Sequence, residues 1–110
     1  MTDKIVVLCT CSSSDEARRI AGELIARRLA ACVNLLPPVR SVYHWKGAIE
    51  EGEETLMIIK SSRHLFERLK AAIARLHSYE VPEIIALPIV DGAAAYLAWM
   101  DDELAHEESE

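Results

Sequence analysis

A chain of 110 residues fits one domain and can bury a core without disulfide or metal staples. Its formal net charge of −6 argues against the basic face that a nucleic-acid footprint requires. No run of about 18 apolar residues offers a membrane span. An odd cysteine count of 3, with no basic and apolar leader at the start, leads us to expect reduced thiols and a cytoplasmic setting.

Residues 5–10, Ile-Val-Val-Leu-Cys-Thr, are a continuous apolar run that predicts a central strand. Ser13 and Glu16 have capping-box spacing, so a helix should start there. Ala17, Ile20, Ala21, Leu24, Ile25 and Leu29 share one face of it, which predicts a helix ending near Ala30. From Ala30 to Trp45 a buried-strand pattern meets Pro37-Pro38 and resumes as an alternating, aromatic-rich strand. Neither proline has an N–H for a ladder, so the tract should be a bent edge strand continuing into an arm. Gly47 and Gly52 bracket an expected polar connection over residues 46–54, and residues 55–60 form the third strand. Ser61 and Ser62 are placed to cap a second helix with a stripe of Leu65, Leu69, Ala72, Ile73 and Leu76. Residues 77–80 are a loop, and Val81 is held extended by Pro82. Residues 83–90 predict the fourth strand, with Pro88 marking an edge. Asp91-Gly92 then opens a last helix whose apolar side is Tyr96, Trp99, Met100 and Leu104, followed by an acidic tail from about residue 105 to 110.

The order β-α-β-β-α-β plus a C-terminal helix defines an α+β class, the ferredoxin-like split βαβ fold with an antiparallel sheet, as one domain over residues 1–110. In that topology the first strand lies between the third and fourth, and both helices cover one face. The strands are too apolar for their other face to meet water, so an association surface is expected there. An arm carrying Val42, Tyr43 and Trp45 also needs a packing partner, and a second copy of the chain is the direct candidate. Tyr43 and Trp45 are its expected aromatic anchors.

No glycine-rich phosphate loop, His-Glu-x-x-His, Cys-x-x-Cys or Gly-x-Ser-x-Gly occurs, so nothing here announces an enzyme. The cluster Ser12-Ser13-Ser14 reads as a helix cap. Cys9 and Cys11, two apart on a strand, direct both sulfurs to one face. They are either small buried hydrophobes or a soft site for Cu(I). Cys32 reads as core, His44 as interface, His64 as solvated and His106 as a weak binder in the tail. His77 ends a helix, where it either gains from the helix C-terminus or reaches a ligand. Lys60, Tyr79 and Glu83 sit at strand ends, either as a polar cleft pocket or as an ordinary ion pair.

Four separated stretches carry a resemblance. They are Leu29-Ala30-Ala31-Cys32-Val33-Asn34, Ser41-Val42-Tyr43-His44-Trp45-Lys46-Gly47, His77-Ser78-Tyr79-Glu80-Val81-Pro82-Glu83-Ile84, and Tyr96-Leu97-Ala98-Trp99. In this order they resemble the CutA divalent-cation tolerance proteins, nearly from end to end. The resemblance implies a ferredoxin-like subunit, a tight homotrimer, a bacterial cytoplasmic setting, and tolerance to copper and other divalent cations through metal binding by the protein. It also implies metal ligands at Cys9 and His77, and two protein ligands are too few for a structural site, so a weak, open site not needed for folding is expected. The family's first histidine of an adjacent pair falls on Leu76 in this chain. The trimeric architecture is shared with the P-II signalling proteins, so the alternative is a P-II-like regulatory trimer that binds a small ligand at subunit clefts and passes its state to an unidentified protein partner.

Overall fold

In the computed structural model residues 2–106 are described, and they form one four-stranded antiparallel sheet with helices. The first strand, β1 (Lys4–Cys11), alternates as a sheet covered unequally on its two sides should. Ile5, Val7, Cys9 and Cys11 are buried, while Val6, Leu8 and Thr10 are only half-buried. Helix α1 (Ser14–Ala26) begins as the serine predicts, with the Ser13 hydroxyl accepting the Glu16 N–H at 3.1 Å. It stops four residues before the predicted end. Arg28 takes a left-handed φ of 56°, the Leu29 N–H bonds the Leu24 carbonyl at 2.9 Å, and the Arg28 N–H bonds Ile25 at 3.0 Å. That is a Schellman closure. Leu29 is therefore the apolar residue that seals the helix end, although it sits in phase with the helical stripe.

The expected polar connection over residues 46–54 does not exist as a loop. Strand β2 (Cys32–Trp45) turns at Lys46 and Gly47, with φ of 49° and 83°, directly into β3 (Ala48–Ser62). This is the two-residue hairpin turn whose positive φ values match strand twist. Residues 48–54 thus belong to a strand, paired from Trp45↔Ala48 to Val39↔Glu54. Arg40 offsets their acidity from the opposite strand, reaching Glu51 at 3.5 Å and Glu53 at 3.3 Å. The prolines do bend the strand: the register slips between Leu36 and Val39, a bulge that absorbs Pro37-Pro38.

Ser61 and Ser62 close β3 and cap nothing. A single 3₁₀ turn, Arg63–Leu65, leads into α2 (Phe66–Leu76), and the Ser61 hydroxyl donates to the Leu29 carbonyl at 2.7 Å. The last strand, β4 (Ile85–Pro88), is shorter than the predicted 83–90. Helix α3 (Ala94–Glu103) starts after Asp91-Gly92 with no side-chain cap, and the Asp91 carboxylate accepts the Gly92 N–H at 2.8 Å. Its predicted apolar side is divided. Met100 and the following Leu104 are buried, whereas Tyr96 and Trp99 stay partly exposed and stack with centroids 5.4 Å apart. Of the expected acidic tail, residues 107–110 lie outside the described residues.

The strand order is β2-β3-β1-β4, with β1 between β3 and β4. On the covered face Val7, Met57 and Ile59 pack under Ile20, Leu24, Leu65, Leu69 and Ile73, all fully buried. The other face carries Val6, Leu8, Leu56 and Ile58, flanked by Leu36, Ile85 and Leu87, which are exposed by 41 to 51%. Among the described residues no helix is long and apolar enough to cross a membrane.

Candidate metal centre and adjoining cleft

Alternation along β1 puts Cys9 and Cys11 on the helix-covered face, opposite Met57 and Thr55 of β3. His77 follows the last turn of α2 in an extended conformation, its N–H still bonded to the Ile73 carbonyl at 2.9 Å. The chain turns there over the end of β1. In consequence the two sulfurs and an imidazole nitrogen lie within 4.8 Å of one another, all buried. Among the described residues this is the one group of three or more His, Cys, Asp or Glu side chains that could hold an ion. Cys11 joins the two residues, Cys9 and His77, that the resemblance marks as ligands.

The protonation of this cluster follows from its hydrogen bonds. His77 Nε2 lies 2.7 Å from the Thr10 carbonyl, which can only accept, so Nε2 carries a proton. Nδ1 accepts the Tyr79 N–H at 3.0 Å and therefore has none. The ring is neutral, and the 3.6 Å approach of Glu16 to Nδ1 is not an ion pair in this state. Both nitrogens are already engaged, so an ion bound through His77 must displace one of these bonds. The sulfurs are held more loosely, with the Cys9 thiol donating to the Thr10 carbonyl at 3.8 Å. Hydrogen bonding to Cys11 and then burial push the Cys9 thiol up, and the same sulfur–sulfur contact pulls Cys11 down despite its burial.

Behind the cluster lies Glu16, a buried carboxylate that helix capping alone does not explain. Oε1 accepts the Ser12 N–H at 3.2 Å and the Ser12 hydroxyl at 2.9 Å, and Oε2 accepts the Ser78 N–H at 2.7 Å. Burial opposes its ionisation, but the donors of Ser78 and Ser12 prevail and hold it at about 2. Glu16 therefore ties the β1–α1 turn to the loop after α2 and fixes His77 over the sulfurs. The capping-box spacing located this carboxylate without revealing that it spans 62 residues.

Tyr79 links the cluster to a surface cleft. Its ring lies 4.6 Å from His77, and its hydroxyl donates to Glu54 at 2.6 Å, with Ser41 donating to the other Glu54 oxygen. Burial and then that bond to Glu54 push the phenol well above its usual range. Tyr79 and Glu83 line one cavity of about 720 Å³ together with Tyr43, Trp45, Glu54 and Glu80. Lys60 does not join them. It pairs across the sheet with Val6 and Cys32 and donates to the Asn34 side chain at 2.6 Å. Glu54 has no counterpart in the sequence reading, since residues 46–54 read as a loop.

The fold is that of a small α+β protein, with a four-stranded antiparallel sheet and helices packed on it. The profile of the CutA1 divalent ion tolerance proteins matches residues 5–103, and the chain belongs to that family. It is 47% identical to the divalent-cation tolerance protein CutA of Thermus thermophilus, over 86% of this chain and 92% of that one. The solved CutA1 structure from the same organism superposes with a TM-score of 0.90 over 93% of this chain and 99% of the other, at 44% identity. The mouse protein CutA is 46% identical over 83% of this chain, which spans only 51% of that relative's length. A structure described as the periplasmic divalent cation tolerance protein CutA from Archaeoglobus fulgidus gives a TM-score of 0.89 at 37% identity, covering 91% of this chain and 97% of that one.

Proposed function

We propose that this protein serves divalent-cation tolerance by binding metal rather than by catalysis, and that the ion it holds is copper as Cu(I), bound first by the sulfurs of Cys11 and Cys9. The observation that carries this is the buried convergence of Cys9, Cys11 and His77 within 4.8 Å. Two thiolates suit a soft monovalent ion, and no imidazole bond need break to supply them. His77 then stands beside the ion as a hydrogen-bonded neighbour and becomes a third ligand only where Thr10 or Tyr79 gives way. A closed structural site usually needs four protein ligands, so the ion is a guest and the apo protein stays folded. Reduced thiols are a requirement of this reading, and a reducing cytoplasmic compartment is the setting that would supply them.

The working form in this reading is a homotrimer. Its support is the apolar surface the single chain leaves uncovered: Leu36, Ile85 and Leu87 on the open face, and Val42, Tyr43, Trp45 and Ile49 on the hairpin. Tyr43 and Trp45 are its anchors.

Competition between the reduced protein and a Cu(I) chelator tests the metal reading. Replacing Cys11 or Cys9 by Ser should weaken binding by an order of magnitude or more, and His77→Ala by less. Because binding must displace thiol protons, affinity should rise with pH. Copper held equally by the parent and both serine variants would end the proposal.

A further inference from the structure

We propose that the cleft between the hairpin and the loop after α2 binds an organic cation, an alkylamine of the polyamine kind. Three aromatic rings, from Tyr43, Trp45 and Tyr79, and three carboxylates, from Glu54, Glu80 and Glu83, line its 720 Å³. That volume is in the range of small-molecule sites. The charge is unbalanced. Among the described residues neither Glu80 nor Glu83 has an ion-pair or hydrogen-bond partner, and no basic side chain lines the cleft. Glu54 is held in place by the Tyr79 and Ser41 hydroxyls, so part of the acidic lining is fixed before any ligand arrives. The one ammonium near a lining ring among the described residues is that of Lys46, the next residue in the turn, at 5.8 Å from the Trp45 centroid.

The same lining disfavours a bare metal ion. The three carboxylates do not converge as Cys9, Cys11 and His77 do; they are spread over the walls. A single small ion would meet at most part of that set. An extended amine places separated ammonium groups near separated carboxylates and lays its methylenes on the rings, which combines charge pairing with cation–π contact. The inference does not depend on metal binding at the sulfurs: it uses a different cavity and none of the same ligand atoms.

Calorimetric titration of the intact protein with spermidine at low salt, beside a matched titration with Mg²⁺, tests it. Saturable spermidine binding that Mg²⁺ does not reproduce is the expected result. The double substitution Glu80→Gln and Glu83→Gln, at two exposed positions, should weaken spermidine about fivefold, while Cu(I) competition moves far less, since Glu83 reaches Cys9 only through its charge. Trp45→Leu should weaken it by a further few-fold. Absence of spermidine binding, equal binding of Mg²⁺, or unchanged affinity in the double variant would each overturn the proposal. So would dissociation of the assembly by the double substitution without spermidine binding to the parent, because the acidic lining would then serve a neighbouring copy.

Discussion

The body of the sheet and the hairpin arm follow opposite rules within one chain. In the body, alternate residues of β1 and β3 disappear under α1 and α2, and Val7, Cys9, Met57 and Ile59 are fully buried. In the arm the alternation continues but nothing lies over either side: Val42 is 61% exposed, Trp45 59% and Ile49 76%. The body therefore meets the cost of ordering from its own burial. The arm is held as a hairpin by ladder bonds, a tight turn and Arg40, with its apolar side chains left exposed in the single chain. A Cys-Cys-His cluster belongs to the first region because buried sulfurs need a dry, fixed frame. An acidic aromatic cleft belongs to the junction, where one wall is body and the other is arm.

The largest expected effect comes from breaking the body. Ile59→Ala removes a fully buried side chain and should cost about 2–5 kcal/mol in chemical denaturation. Ile49→Ala removes the same atoms from the arm. In an isolated chain it should change stability by under about 0.5 kcal/mol, so a larger loss that grows on dilution would report burial by another copy. Equal costs at high dilution would erase the contrast between the regions.

The clasp at Glu16 is the next sharpest test. Its folded pKa of about 2 lies below the usual carboxylate value of 4.5, so its contribution is present above pH 4.5 and is lost as pH falls toward 2. The difference is worth roughly 3 kcal/mol, with the sign favouring the ionised native state. Thermal melts of the parent should fall through that window. Glu16→Gln should be less stable at neutral pH and show a flatter profile between pH 4.5 and 2. A parallel pair of curves would remove the clasp from the account. Trp45→Ala should follow in size, with about 2 kcal/mol lost from assembly and little from the fold of the body. Sedimentation at several concentrations separates the two, and an unchanged distribution of species would deny Trp45 its anchoring role.

Much of the body was legible because its signals are local. The apolar run through β1, the Ser13 cap and the stripe of α2 each lie within one or two turns or strands. The bend at Pro37-Pro38 was equally plain, since two missing donors leave few alternatives. The arm was half-read. Glycine and glutamate are poor strand formers, so residues 48–54 resembled a connection, and only pairing with residues 39–45 makes them a strand. The helix end near Ala30 failed for the reverse reason, because a Schellman apolar contact mimics helical phase. At the candidate centre Cys9 and Cys11 were visible through their period of two. Glu16 to Ser78 and Tyr79 to Glu54 were not, because those bonds join residues 62 and 25 apart through the tertiary fold. The uncovered face was readable from composition, and the unpaired charge of the cleft appeared only once its walls met.

A smaller effect than those at Glu16 and Trp45 isolates the arm from the body at its tip. Lys46 and Gly47 both take positive φ, and at Gly47 the value of 83° is one that a side chain occupies at a cost. Space is not the issue, since a Cβ there would meet nothing within 4 Å. Gly47→Ala should therefore act through the backbone alone, by about 1 kcal/mol. The turn lies at the far end of the β2–β3 ladder, beyond Trp45↔Ala48, so the cost should appear as faster amide exchange across residues 42–51 with protection in β1 unchanged. Cu(I) competition should match the parent, because the Cys9–Cys11–His77 cluster rests on body elements. Spermidine affinity should fall slightly, because Tyr43 and Trp45 are carried by the loosened tip. Exchange that quickened equally in β1 would show the arm and body to be one cooperative unit, and the contrast between them would be one of exposure without independence.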